Sequence, residues 1–290
     1  MILFRSKLFS RFEPFRKNYL EAKREENIKL ALSRKKKEID RVKEMIKNDW
    51  EDYEFYLKQT YLSYSNFETI TLNNYLNGDP MTVLNYIKSE RKQGVDEEAQ
   101  FKYIDSEFSE VVGKNNIQKV KKSDKMYFIN NKIVYAASKD EIKTKYKSLA
   151  KSIDLKINYP LLGKTFTGIG TLKYTSGEGG SQDNQFTDIE NTNIEFVKST
   201  DKNLYTFTIV GGDHYNESRF RYLIKTYKTD RNKIVSVDKF GYVLIKCILD
   251  WISRTINPST LSEDQVIQLN NEISRLTALS IKYRLSMSVI

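Results

Sequence analysis

Between Pro14 and Pro80 the chain holds no proline, and no glycine comes before Gly78. Uninterrupted chain of that kind permits long helix, since Pro and Gly are the residues that break one. From Phe15 to Leu62 the sequence reads as one long helix or two stacked ones. Its second half carries an apolar stripe, Ile39, Val42, Ile46, Trp50, Tyr53 and Leu57, at steps of three and four. That spacing gathers side chains on one helical face. The first half is too polar for a buried helix and is partly solvated or lies against something charged.

Residues 1–48 contain 15 Lys/Arg against 7 Asp/Glu, so +8 of the chain's net +10 lies there. Charge so localised marks a candidate contact surface for nucleic acid, an acidic partner or an anionic membrane. The candidate contact residues are Arg16, Lys17, Lys23, Arg24, Lys29, Arg34, Lys35, Lys36, Lys37 and Arg41. The competing reading is a solvated helix laced with ion pairs at helical spacing.

The remaining chain predicts an α+β fold: a long basic N-terminal helix, a central antiparallel β domain and a C-terminal helical pair. The expected divisions are a helical arm over 1–62, a connector over 63–100, a β-rich domain with one helix over 101–230 and the helical pair over 231–290. Asn77-Gly78-Asp79-Pro80 is a turn, and a short helix is expected over 81–88. Residues 89–100 are polar and read as a linker. Met126–Ile129 and Ile133–Tyr135 around Asn130-Asn131 form a hairpin, since Asn tolerates the positive φ of a tight turn. Ser138 and Glu141 have capping-box spacing ahead of a helix whose inner face is Ile142, Tyr146, Leu149 and Ile153. Residues 166–175 alternate as a half-buried strand, with Gly168 and Gly170 marking a bulge or a close backbone approach. Residues 194–198 and 204–210 read as a second hairpin. Residues 219–228 fit strand or helix, and their aromatic content favours strand. Near the C-terminus, Thr260 and Glu263 have capping-box spacing. Val266, Leu269, Ile273, Leu276, Ser280 and Tyr283 then follow a heptad, which over this length packs within its own bundle.

Catalytic patterns are sparse. Gly163-Lys164-Thr165 ends like a phosphate loop but lacks the earlier glycine and precedes a strand. Residues 176–193 are long, polar and loop-like. Gly177, Glu178, Gly179, Gly180 and Asp183 are candidate contacts there, and Asp183, Asp188 and Glu190 are the carboxylates a hard cation could use. Glu195 and Lys198 are spaced wrongly for a nuclease pair. His214, the chain's one histidine, reads as a structural loop residue, and Cys247, its one cysteine, as a small core residue. No disulfide, multi-His metal site or cofactor is expected, and no segment has the length of a membrane span.

These features lead to three expectations. The first is a non-enzymatic structural component of a large assembly, a virion neck, ring or tail protein of a tailed phage. It would partner copies of itself, other assembly proteins and DNA phosphates. The second is a nucleic-acid-binding accessory protein of the cytoplasm. The third is an enzyme without a readable motif, such as a divergent nuclease. A nuclease needs clustered carboxylates and commonly a lysine, and no short stretch of this sequence supplies them.

Overall fold

A computed structural model describes residues 11–23, 26, 92–120, 125–136, 138–175, 180–212 and 214–288. The chain divides into two compact units, Met1–Arg16 with Glu97–Ile290, and Lys17–Asp96. The second unit's described residues, 17–23, 26 and 92–96, are helical, and Lys23 pairs with Glu26 at 2.9 Å. The apolar stripe from Ile39 to Leu57, the turn at Gly78 and the helix expected over 81–88 lie outside the described residues.

The larger unit is mixed α+β, as expected. In chain order its elements are helix α1 over 12–23, α2 (Lys92–Val112), β1 (Ile117–Lys119), β2 (Met126–Ile129), β3 (Lys132–Tyr135) and α3 (Lys139–Tyr146). There follow β4 (Leu155–Leu161), β5 (Lys164–Tyr174), α4 (Gly180–Phe196), β6 (Leu204–Gly211), α5 (Glu217–Tyr227), β7 (Asn232–Ser236), α6 (Phe240–Thr255) and α7 (Glu263–Ser288). Helices α1 and α2 both run across the division between the two units.

The main sheet has the order β1-β4-β5-β6-β7 and is mixed, not antiparallel. β4 runs antiparallel to both β1 and β5, whereas β5–β6 and β6–β7 are parallel. Parallel neighbours need a crossover of a dozen or more residues. The stretch read as a contact loop is therefore largely helix α4, which carries the chain from β5 to β6. Gly180 and Asp183 belong to this helix, and Gly177, Glu178 and Gly179 lie outside the described residues. Its inward stripe is Phe186, Ile189, Asn193 and Phe196. Two polar inner residues, Thr192 and Asn193, disguise it in sequence, and both are buried. Asn193 exchanges hydrogen bonds with Thr208 on β6 and accepts one from Asn232 on β7 at 2.9 Å. Residues 194–196 accordingly end a helix rather than begin a hairpin.

Residues 217–227 are also helix, where strand was favoured. The Asn216 side chain accepts from the Arg219 N–H at 3.1 Å and caps the first turn. Phe220 and Leu223, three apart, are then its buried residues. Residues 92–100, read as linker, open α2, and Ala99 and Gln100 are fully buried.

Other expectations hold. β2 and β3 pair in the hairpin, with Asn130 and Asn131 at φ of 49° and 64°. Ser138 caps α3 by accepting from the Glu141 N–H. That helix stops at Tyr146, where Lys147 turns left-handed (φ 55°), and so Leu149 is exposed while Ile142 and Ile153 are buried. Gly163 lies in the two-residue turn joining β4 to β5, with Leu162, both at positive φ, and not in a phosphate loop. Gly168 and Gly170 mark a close approach: a Cβ on either would come within 3.0 Å of Phe207. The capping box of α7 lies two residues beyond the expected pair, Thr260 and Glu263. Ser262 and Gln265 bond reciprocally, at 3.3 and 3.0 Å. Leu269, Leu276 and Tyr283, each seven apart, are buried in the body, as the heptad implied.

Side chains of β6 alternate between two cores. Tyr205 and Phe207 face α6, where Tyr205 donates to Asp250 at 2.7 Å and Phe207 meets the Phe240 ring at 5.3 Å. Thr206, Thr208 and Val210 face α4 and α5. On the α6 side, α2 lays Phe108 against Gly241. A Cβ at Gly241 would fall 2.4 Å from two Phe108 ring atoms. Replacing a helical glycine by alanine gains roughly 1 kcal/mol of propensity, whereas overpacking a tight core costs about 1–3 kcal/mol. Gly241→Ala is therefore expected to lower the thermal midpoint, and an unchanged midpoint in calorimetry would contradict this contact.

Candidate functional site

β5 is the strand at which the sheet changes from antiparallel to parallel pairing. In open sheets with parallel strands, ligands commonly bind outside the carboxyl ends of the strands. Lys173 lies at that end of β5, and three elements distant in sequence meet it there. From α2, Glu97 forms an ion pair with the Lys173 ammonium. Asp154, immediately before β4, lies alongside β5. Its Oδ2 accepts from Thr171 Oγ1 at 3.0 Å and from the Leu172 N–H at 2.8 Å. Its own N–H donates to the Gly170 carbonyl at 2.9 Å. These bonds fix the carboxylate where its charge acts on Lys173.

Gln100, one turn after Glu97, donates from Nε2 to the Lys173 carbonyl at 3.1 Å. Its Oε1 is buried with no hydrogen-bond partner among the described residues. Tyr215, buried beside Thr175, feels the charges of Lys173 and Glu97, and burial pushes its phenol up to about 12. At the edge of the cluster, Lys151 pairs with Asp188 at 2.8 Å.

The charges do not cancel within the central three. Burial works to lower the Lys173 pKa, but the fields of Asp154 and Glu97 outweigh it and the value is raised. Glu97 is raised by burial, and the nearby Asp154 adds to this against the opposing pull of Lys173. One ammonium shared by two carboxylates leaves an excess negative charge, which a proton or a second cation would relieve. With its pKa raised, Lys173 is an ammonium at neutral pH.

The N-terminal residues dock at the same end of the sheet. Asp238 Oδ1 accepts from the Arg11 and Phe12 N–H groups at 2.8 and 3.0 Å, an anion at the start of α1. Phe12 is buried edge-on to Tyr103 and Tyr174, at 5.4 and 5.8 Å between centroids. Glu13 accepts from the Tyr174 hydroxyl at 2.7 Å.

Of the basic residues proposed from sequence, Arg16 stacks on the Tyr174 ring at 4.1 Å and pairs with Glu13 at 3.5 Å. It helps hold this docked segment. Lys17 is exposed, and Lys23 is paired as described above. Arg24, Lys29, Arg34, Lys35, Lys36, Lys37 and Arg41 lie outside the described residues.

The three acids suggested for a cation do not converge. Asp183 pairs with Arg219 at 3.2 Å, Asp188 with Lys151, and Glu190 accepts from Tyr222 at 2.8 Å. Glu195 holds the β2–β3 hairpin, accepting from the Asn130 N–H at 3.1 Å, and pairs with Lys198. His214 is buried and accepts from Arg219 Nη1 at Nδ1, 2.8 Å away. Since arginine can only donate, the imidazole carries its proton on Nε2. Cys247 is buried, and burial pushes its thiol up to about 12, so it is an inert core residue.

Among the described residues no three metal-ligating side chains come together, and no helix is long and apolar enough to cross a membrane. No family model, curated protein or solved structure matches the chain.

Removing Lys173 alone would strand two carboxylates. Breaking a buried pair costs about 3–5 kcal/mol, and the 22% exposure of the Glu97 side chain places this case at the lower end. Lys173→Met is expected to be markedly less stable in denaturant titration than Glu97→Gln/Lys173→Met. The pH dependence follows in sign. A folded Glu97 with a raised pKa binds more protons than the unfolded chain above the ordinary glutamate value. Its contribution to stability therefore falls as pH climbs through the folded value, and in Lys173→Met that decline should extend to higher pH. Equal stability of the single and double variants at pH 7 would contradict the coupling.

Proposed function

We propose that Glu97, Asp154 and Lys173 form the centre of a metal-assisted phosphodiester hydrolase acting on nucleic acid. The observation that carries this reading is the convergence of two carboxylates and one ammonium at the switch strand. It is the combination a nuclease requires, and the nuclease expectation is thus supported at residues other than Asp183, Asp188 and Glu190. The local +8 charge of residues 1–48 supports a polyanionic substrate independently.

Magnesium is commonly held by one or two carboxylates, with water and substrate phosphate completing the octahedron. Asp154, pre-oriented by Thr171 and Leu172, would hold such an ion, with Glu97 as the second ligand. A cation there would compensate the excess negative charge. It would also supply hydroxide at neutral pH and draw charge from the phosphoryl oxygens. A protonated Lys173 is no general base. Its role is to stabilise negative charge developing on the phosphoryl and leaving oxygens as hydroxide attacks phosphorus and the ester oxygen leaves. Were Glu97 to hold such a cation, the Lys173 ammonium would be free to face the phosphate.

The decisive test is Mg²⁺- or Mn²⁺-dependent cleavage of end-labelled DNA and RNA by the purified chain. Asp154→Asn keeps an acceptor for Thr171 and Leu172 and should remain folded, yet lose about 10²–10³-fold in rate, the usual scale for one transition-state group. Lys173→Arg keeps the charge but not the compact ammonium, and should lose rate while retaining its melting temperature. Cleavage by Asp154→Asn at the wild-type rate would falsify the assignment. A folded wild type that cleaves neither polymer would return the chain to the first expectation, a non-enzymatic assembly component.

A further inference from the structure

A second charged feature lies at the amino end of β7, away from Lys173. There α5, β7 and α6 border a groove lined by Lys228, Lys233, Lys246 and Arg254, against Asp230 and Asp250. Its floor includes Ile234, Val243 and the buried Cys247. Both carboxylates are engaged by one residue. Arg254 pairs with Asp250 at 2.9 Å and with Asp230 at 3.8 Å, and Asp250 also accepts from Tyr205. Lys228, Lys233 and Lys246 have no carboxylate within ion-pair distance among the described residues. Lys233 Nζ donates to the Thr229 carbonyl at 3.3 Å, and Lys246 lies 5.7 Å from the Tyr242 ring centroid. Four cations against two carboxylates leave the groove a net charge of +2, carried by three lysines outside any ion pair among the described residues.

We infer that this groove binds phosphates of a nucleic-acid backbone, as a site separate from the Glu97–Asp154–Lys173 centre. The distribution of charge decides between an extended polyanion and a small phosphorylated ligand. A pocket for one phosphate gathers backbone N–H groups at a helix amino end. Here α6 presents its middle and carboxyl-terminal turns, whose dipole disfavours a single buried anion. Dispersed lysines instead suit successive phosphates along a strand, each contributing through counterion release.

The test is equilibrium binding of a labelled oligonucleotide to full-length Asp154→Asn protein without divalent metal, which excludes cleavage, across a series of salt concentrations. In the same background, Lys228→Gln/Lys233→Gln/Lys246→Gln should weaken binding at least tenfold at low salt. It should also reduce the magnitude of the slope of log K against log salt by about 2–3, one per lost phosphate contact. A melting temperature within a degree or so of the parent would confirm that these lysines do not hold the fold. Unchanged affinity and slope would overturn the inference. So would inorganic pyrophosphate binding that depends on the three lysines while oligonucleotide binding does not, since that would reassign the groove to a small phosphate ligand. Metal-dependent cleavage by the triple variant in a wild-type Asp154 background, at saturating substrate, reports on the catalytic reading alone, so either proposal can fail without the other.

Discussion

The pairing of β5 is the constraint on which the rest of this fold depends. With an antiparallel partner on one side and a parallel one on the other, β5 receives β4 through a two-residue turn and reaches β6 only through a crossover helix. That requirement makes helix of residues 180–196 despite their polarity. It also places β6 inside the sheet, between β5 and β7 and buried on both faces. The carboxyl end of β5 is then left at the junction of the two pairing regimes. Glu97, Asp154 and Lys173 meet there because the sheet's connectivity brings them together.

Polar groups do much of the specifying. Asn193, Thr208 and Asn232 tie α4, β6 and β7 together through a buried network. Such a network is favourable when its members are satisfied and costly when one is not. At the other end of the body, Arg275 of α7 donates to the Glu110 and Val111 carbonyls at 2.7 and 2.8 Å, serving the carboxyl end of α2 with a cation. Tyr283 adds a bond to the Glu107 carbonyl of the same helix. Helix α2 is therefore held by the last helix of the chain at one end, while its Glu97 reaches Lys173 toward the other.

How much of this was legible in the sequence depended on whether a signal was local. The β2–β3 hairpin, the Ser138 cap, the β5 strand and the α7 heptad are written in neighbouring residues, and each appears in the fold. What failed was long-range. Parallel pairing leaves no mark in a single strand. Helix α4 hides its stripe behind Thr192 and Asn193, which look like loop residues until Thr208 and Asn232 are seen to receive the latter. In α5 the alternation of Phe220, Tyr222 and Ile224 competed with the helical spacing of Phe220 and Leu223, and the Asn216 cap was the clue that separated them. The candidate site was the least legible part. Glu97 lay in a stretch read as linker, Asp154 precedes β4, and Lys173 lies in β5. The local acids at 183, 188 and 190 drew attention because they were close in sequence, and each is engaged elsewhere.

The docking of Phe12 beneath Tyr103 and Tyr174, with Asp238 holding the adjoining N–H groups, has a consequence for how the molecule is made. The partners of that contact are separated by as many as 227 residues. The ring of Phe12 must therefore wait for Tyr103 and Tyr174 to be made, and the N–H of that residue for Asp238. Docking of this segment is thus a late step in forming the body, and until it occurs the Phe12 ring is an apolar surface open to chaperones or to neighbouring nascent chains.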